Sequence, residues 1–546
     1  MSEILKCFPL EKPRPSQIEV LKAIGVAFSK GYTNVLLECP VGSGKSAIGI
    51  SVSKFYGQSH ILTPRKSLQD QYAGDFHKES LTLMKGRGSY TCTYLSEDNA
   101  AEYNRETSKI RAGKIVFVSP TDTSCAEGPC LLDADKKRKC TQPVLQPGTI
   151  PPEYEDTYPC PYHVAIDTAQ NSNIIIHNNT GFIFQTYYAD RFQRRPIVIG
   201  DECHEMESTV RGFAEKKIVL PLCIKDEDMP IEGEFTTMSQ WAGYFSQFED
   251  KFSSRARSSG MSQKEEFLMA LSMLEDLSEM IGTKFVTSID RDPTAKRSRF
   301  TFTPEYVGNL VEKYISNYGE KRLFMSGTIY SKDLFCRLNG LKTEETAFIK
   351  IGSSFPKANR PIYMKPEYMT NNSHKCWDEN FLALITNIKK IMAAFPNDKG
   401  LIHAPSYHAG LTLMNALKST GRVVTHDKEN FATELQKFYD SDKPQVFLSP
   451  ICQQGVDFKG DRSKFQMILR VPYPSTSDAF MAKKVKEDFS YYNYQALITF
   501  GQMIGRINRS EDDIGITVLM DSRFESFIGR NKGVLPSWLT SAILRS

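Results

Sequence analysis

The sequence predicts an α/β protein built on two parallel-sheet domains, and three observations carry that expectation. Short apolar runs recur in two blocks, each run is apolar on both faces, and helix-length segments separate them. The first block holds "NVLLEC", "HILTP", "NIIIHN", "RPIVIGDE" and "RLFMSGT". The second holds "GLIHAP", "RVVTH", "QVFLSP", "FQMILRVP" and "GITVLMD". Ligands in such folds sit beyond the carboxyl ends of the strands, so the residues that follow each run are where chemistry is sought.

Two stretches interrupt the first block. Residues 87–165 carry cysteines, prolines and glycines with little amphipathic pattern, apart from a strand-like "KIVFVSP". Residues 207–305 read as helical, since "KEEFLMALSMLEDLSEMIG" spaces its apolar residues by three and four. Both read as insertions into the first domain. A chain of 546 residues is long enough for two or more cores, and 40% apolar with 24% charged residues describes a soluble globular protein. No run approaches the ~18 apolar residues of a membrane span. The opening "MSEILKCFPLEKPRPSQ" lacks a signal-peptide pattern, so a cytoplasmic location is expected, where disulfides are disfavoured. The net charge of +4 is too small to argue by itself for a polyanionic partner, and any such contact must be local. Of 12 cysteines, five (Cys92, Cys125, Cys130, Cys140 and Cys160) share one polar window, which favours metal ligation over scattered buried thiols.

After the first strand comes "PVGSGKSAIG". Gly42 and Gly44 let the backbone wrap around phosphates at a helix start, Lys45 reaches the β/γ-phosphates, and the Ser46 hydroxyl ligates Mg²⁺. Cys39 stands where the longer phosphate-loop pattern has its first glycine. "PIVIGDECHE" supplies the second half: Asp201 holds Mg²⁺ through its water shell and Glu202 polarises the attacking water. "QMIGRINRS" places Arg506 and Arg509 three apart on a helical face, as cations for the γ-phosphate.

In this order the motifs resemble those of superfamily 2 helicases of the XPD/DinG iron–sulfur group. The resemblance runs almost end to end: "RPSQ", "PVGSGKS", "LTPRKSLQDQY", "DECH", "FMSGT", "GLIHAPSY", "QQGVDFKGD" and "QMIGRINR" follow the family's sequence of motifs. Cys203 and Gly327 replace the family's usual alanines in two of them, and Asn179 stands where relatives often carry His or Tyr. The resemblance implies two RecA-like motor domains with ATP between them. It adds Arg14, Gln17, Asp457 and Gln502 to the nucleotide contacts, and sets Thr63, Arg65 and Ser406 against the phosphates of a single strand.

The resemblance also gives the cysteine window a meaning. "KGRGSYTC" and "CPYHVAIDTAQNSNIIIHN" resemble the entry and exit of the family's iron–sulfur domain, making Cys92 the first ligand and Cys160 the last. Cys130 and Cys140 are the closer matches for the other two, with Cys125 spare, and four thiolates suit a [4Fe–4S] cluster. Four cysteines equally suit zinc, and only the resemblance separates the two. Lys136, Lys137, Arg138 and Lys139 would then neutralise phosphates where duplex parts, or else form an ordinary solvated loop.

The expected organisation follows. Residues 1–86, 166–206 and 306–330 form the first motor domain. Residues 87–165 form the cluster domain, 207–305 a helical arch-like insertion, and 331–546 the second motor domain. The expected activity is ATP-dependent, 5′-to-3′ translocation on single-stranded DNA with unwinding of forked DNA, by a monomer without a membrane partner and with a loading protein left unnamed. The compact length resembles phage-encoded helicases, which would place the protein in a bacterial or host cytoplasm. Little chain precedes the phosphate loop, so no fused nuclease is expected. A translocase that remodels nucleoprotein without unwinding, and a catalytically silent nucleic-acid scaffold, are the competing readings.

Overall fold

The computed structural model describes residues 3–40, 42–91, 125, 160–220, 230, 235, 237–246, 253, 284–292, 297–368, 374–452, 456–458, 460–508 and 511–545. Two seven-stranded sheets, all parallel, form the body of the molecule. The first contains β1 (Asn34–Glu38), β2 (Ser59–Thr63), β3 (Leu81–Met84), β4 (Ile174–Asn178), β5 (Arg195–Asp201), β9 (Gly319–Ser326) and β10 (Thr346–Lys350), in the order β10-β1-β9-β5-β2-β4-β3. Between β5 and β9 the chain makes a separate three-stranded antiparallel sheet of β6 (Lys216–Leu220), β7 (Phe285–Asp292) and β8 (Arg297–Pro304). The second large sheet contains β11 (Ile362–Tyr368), β12 (Gly400–His403), β13 (Val423–Thr425), β14 (Val446–Ser449), β15 (Phe465–Ile468), β16 (Ile516–Asp521) and β17 (Ile543–Arg545), in the order β13-β14-β12-β15-β16-β11-β17.

The ten runs read from sequence are all strands of these two sheets. Five of them are buried at every position, as a sheet covered on both faces requires. In the first lobe, α1 (Pro15–Ser29), α2 (Lys45–Tyr56) and α3 (Lys66–Asp75) cover one face, packing Leu21, Ile48 and Tyr72 over Val35, Ile61 and Ile199. On the first lobe, α4 (Pro161–Gln170) buries Tyr162 and Ile166 beside Met84. On the opposite face, α5 (Met206–Ala214) packs Met206 and Val210 with Val198 and Phe324. In the second lobe, α6 (Tyr407–Leu417) packs Leu413 and Leu417 on Ile402 and Val446. The long α7 (Phe489–Ile504), started by the Asp488 carboxylate accepting the Tyr491 N–H at 3.2 Å, reaches back to the first lobe.

Two expectations about organisation change. The first sheet does not end near residue 330: β10 returns to pair with β1, so the chain crosses to the second lobe only after Lys350. The insertion at 207–305, expected to be helical, adds in its described part an unexpected β-sheet to helix: residues 238–246 are helical, and their Trp241 and Phe245 pack on Phe300 and Phe302 of β8. The alternation in "RSRFTFTP" was the local signal for β8, a period of two where a period of 3.6 was sought. The helical stretch "KEEFLMALSMLEDLSEMIG" and the strand-like "KIVFVSP" lie outside the described residues. No helix among the described residues is long and apolar enough to cross a membrane.

Candidate active site

The site gathers where β1, β9, β5 and β2 end. Gly42 and Gly44 take φ of +77° and +78°, the left-handed region that glycine reaches without penalty. A Cβ on Gly44 would lie 2.2 Å from Gln17 Nε2, so the loop also needs glycine for room. Behind it α2 begins at Lys45, so the loop leads straight into a helix start, where an anion is favoured. Arg14 donates to the Gly42 carbonyl at 2.8 Å and Gln17 donates to the Ser43 carbonyl at 3.3 Å, so the "RPSQ" segment clasps the loop directly. Cys39, in the place of a glycine, is fully buried, and burial pushes its thiol up to about 11.

Lys45 Nζ stands 3.6 Å from Glu202. Asp201 is buried at the end of β5, where burial, then the neighbouring Glu202 charge, raise its carboxyl to about 6. Tyr72 donates to Asp201 Oδ2 at 2.8 Å. Sequence reading passed over Tyr72, although its position in "LTPRKSLQDQY" was in view. Glu202 has a φ of +50°, a left-handed conformation that a glutamate holds only where its surroundings enforce it. That turn aims Glu202 toward Lys45 while His204 faces back to β9.

His204 Nδ1 lies 2.8 Å from Ser326 Oγ and 3.3 Å from Glu202 Oε2. Ser326 Oγ accepts the Thr328 N–H at 3.1 Å, and Gln502 of α7 donates to Thr328 Oγ1 at 3.1 Å. Arg506 in turn donates to Gln502 Oε1 at 3.2 Å and to the Val456 carbonyl at 2.6 Å. A continuous polar path therefore runs from the phosphate loop through Glu202, Ser326, Thr328 and Gln502 to Arg506, crossing between the lobes. Arg506 is 4% exposed, so its charge is held inside this path. Arg509 lies outside the described residues, and Asp457, beside Val456, offers its carbonyl to Tyr439 at 2.8 Å.

The three residues expected on a nucleic-acid strand differ in what they offer. Thr63 is buried, its hydroxyl donating to the His177 carbonyl at 3.1 Å, so its side chain is committed to the sheet. Arg65 is a third exposed and pairs with Glu205 at 2.5 Å. Ser406 caps α6, accepting the Ala409 N–H at 3.1 Å. Lys136, Lys137, Arg138 and Lys139 lie outside the described residues, as do Cys92, Cys130 and Cys140.

Of the cysteine window, Cys125 and Cys160 are described, and both are buried. Their sulfurs are 3.8 Å apart, and the Cys125 thiol also faces the carbonyl of Thr91, the residue before Cys92. The hydrogen bond from Cys125 is the largest cause lowering the Cys160 thiol to about 6. Among the described residues, Cys125, expected to be spare, is the cysteine set against Cys160. Among the described residues no three His, Cys, Asp or Glu side chains are arranged to hold a metal. The two adjoining thiols nevertheless suit a thiolate-bound group whose remaining ligands come from elsewhere in the window.

The comparisons follow this division of the chain. The type III restriction enzyme res subunit family matches residues 10–221, and the helicase C-terminal domain family matches residues 388–542. An XPD helicase structure superposes with a TM-score of 0.61 at 16% identity, covering 98% of this chain and all of that one. The chain is thus similar over its first lobe to the res subunit family, over its second to the helicase C-terminal domain family, and in fold to an XPD helicase. Among curated relatives, the regulator of telomere elongation helicase 1 homolog of Caenorhabditis elegans is 28% identical over 24% of this chain. The 3'-5' exonuclease DinG of Staphylococcus aureus is 24% identical over 40% of it. These matches span 15% and 25% of the relatives' own lengths. The ATP-dependent DNA helicase YoaA of Haemophilus influenzae aligns with 98% of this chain and 93% of its own length, at 19% identity.

Proposed function

We propose that this protein is a superfamily 2, XPD/DinG-like ATP-driven motor that moves 5′-to-3′ on single-stranded DNA and unwinds forked duplex. The observation that carries the reading is the polar path joining Lys45 and Glu202 of the first lobe to Gln502 and Arg506 of the second. A path that spans both lobes lets occupancy of one nucleotide site change how the lobes sit, which is what a translocating ATPase needs. Gly42, Gly44 and the start of α2 cradle the phosphates, and Arg14 and Gln17 hold the loop from the adenine side. Lys45 meets the β/γ-phosphates, Glu202 orients and deprotonates the attacking water, and Arg506 with Arg509 meets charge on the γ-phosphate in the transition state. Ser46 and Asp201 would hold Mg²⁺, which supplies neutralising charge between the phosphates.

The protein's own cysteines would hold a [4Fe–4S] cluster that braces the insertion at the fork. Cys160 is its last ligand, Cys92 its first, and Cys125 joins Cys130 and Cys140 as candidates for the rest. The run Lys136, Lys137, Arg138 and Lys139 would neutralise phosphates where duplex parts. The 5′-to-3′ polarity, the cluster and the monomeric state follow from the family resemblance. Fork unwinding with 5′-tailed and 3′-tailed substrates, beside strand-stimulated ATP turnover, tests the reading. Unwinding confined to 5′-tailed forks and abolished by Glu202→Gln is expected; turnover indifferent to Glu202→Gln overturns the site.

A further inference from the structure

We propose that Glu205 is a strand-dependent positioning residue: its carboxylate is held by Arg65 until a nucleic-acid phosphate takes Arg65, and then engages His204 and frees Glu202 for hydrolysis. This rests on the reading of the chain as a strand-stimulated ATPase.

One oxygen carries the argument. Glu205 Oε1 lies 2.5 Å from Arg65 Nη2 and 3.7 Å from His204 Nε2. The first distance is a tight ion pair; the second is just beyond a hydrogen bond. His204 Nε2 is buried and has no hydrogen-bond partner, a condition that buried polar nitrogens rarely keep. A small movement of Glu205 would give it one. The two acidic and basic groups come from neighbouring strands: β2 delivers Arg65 and β5 delivers Glu205, and the two strands pair directly. Arg65 is also a third exposed, so a phosphate can reach it.

The consequence runs through the imidazole. With Nε2 unpartnered, the ring's proton is best placed on Nδ1, where Ser326 Oγ at 2.8 Å and Glu202 Oε2 at 3.3 Å accept it. Glu202 is then occupied by His204 and by Lys45. Once Glu205 accepts from Nε2–H, the proton sits on Nε2 and Nδ1 instead accepts the Ser326 hydroxyl. The ring keeps one proton throughout, and Glu202 Oε2 loses the His204 N–H and the Ser326 O–H as donors. That oxygen becomes available to a water. Engagement of a strand at Arg65 is thereby converted into readiness at Glu202.

The test is ATP turnover of the full chain with and without oligo(dT), for the parent, Arg65→Ala, Glu205→Gln and Glu205→Ala, with thermal melting as a check on folding. Arg65→Ala and Glu205→Gln each break the ion pair yet leave an oxygen for His204. Both are expected to raise strand-free turnover about tenfold, the scale of one hydrogen bond to a charged group. Glu205→Ala removes the acceptor as well, so it is expected to lose the stimulation by oligo(dT), with the KM for ATP little changed. Strand-free turnover at the parent's level in Arg65→Ala and Glu205→Gln overturns the proposal, as does identical behaviour of Glu205→Gln and Glu205→Ala. A parent that hydrolyses ATP without responding to oligo(dT) overturns the underlying reading together with it, and is told apart by the parent alone.

Discussion

The carboxylate of Glu38, at the end of β1, accepts the backbone N–H of Ile329 at 3.1 Å, 291 residues along the chain. It also accepts the Tyr330 N–H, and Lys350 stands 3.6 Å away. Glu38 is 3% exposed, and burial raises its carboxyl above the ordinary 4.5. One acid thus fastens the strand that leads into the phosphate loop to the segment that follows Ser326. Glu38→Ala strands two backbone donors and is expected to destabilise the protein by about 2–4 kcal/mol, whereas Glu38→Gln keeps an acceptor and costs about 1 kcal/mol or less. Denaturant unfolding of both variants checks this. Because the folded-state value is raised, the group favours folding below pH 4.5 and loses that contribution as pH rises through the folded value, a dependence that Glu38→Gln removes.

Tyr330 and Gly501 meet across the lobes. A Cβ at position 501 would lie 1.9 Å from Tyr330 Oη, a hydroxyl with no hydrogen-bond partner among the described residues. Gly501→Ala is expected to destabilise by about 1–3 kcal/mol through overpacking. Tyr330→Phe removes the offending atom, so the double variant should recover at least half the loss. A double-mutant cycle in denaturant measures the coupling.

His60 and His177 form a buried pair, Nδ1 to Nε2 at 3.1 Å, and His60 Nε2 donates to the Gln193 carbonyl at 2.9 Å. Burial lowers His60 to about 3 and holds His177 well below 6.5. The neutral forms are the folded forms, so their contribution is present above pH 6.5 and is lost as pH falls toward the folded values. Between pH 6.5 and 5 the unfolding free energy is expected to fall by about 1.4 kcal/mol per pH unit for each histidine. His177→Asn should remove one histidine's share of that slope.

Arg506→Ala is expected to lower strand-stimulated kcat by about a hundredfold or more, with the affinity for ATP changed far less, because transition-state charge is what the guanidinium meets. Lys45→Ala should abolish turnover. Equal losses in ATP affinity and kcat for Arg506→Ala would show a residue that only positions nucleotide.

Cys160→Ser and Cys125→Ser are each expected to lower iron and sulfide content while sparing much of the ATP turnover, since the window is an insertion and the motor sheet folds without it. Metal analysis of anaerobically purified protein gives the answer. Iron retained in Cys125→Ser and lost in Cys130→Ser and Cys140→Ser would return Cys125 to the role of a buried thiol.

What the sequence disclosed and what it hid divide along the range of the interactions. Strands such as "NVLLEC" and "GITVLMD" announce themselves because being covered on both faces demands an unbroken apolar run. Lys45, Asp201, Glu202 and Arg506 were legible because phosphate chemistry restricts residue type and spacing within a few positions. Glu38 and Glu205 were not, because each takes its meaning from a distant partner, Ile329 in one case and Arg65 in the other. The edge strand β10, "TAFIK", was missed because its burial falls away from Thr346 to an exposed Lys350 and it lacks the long apolar run. The insertion's β-sheet was missed because one helical pattern in its middle was extended over the whole segment.

That edge strand has a bearing on how the molecule can be divided. Residues Thr346–Lys350 lie alongside β1 at every position, and the Ile351 N–H continues the ladder to the Glu38 carbonyl at 3.0 Å. A fragment ended at residue 330 would keep every first-lobe motif yet strip β1 of one neighbour, leaving a row of bare N–H and C=O groups along a strand that is otherwise buried at every position. Such an edge pairs readily with another chain. The natural point of division for the first lobe therefore falls after Ile351, and a shorter piece would be expected to self-associate through the very strand that presents the phosphate loop.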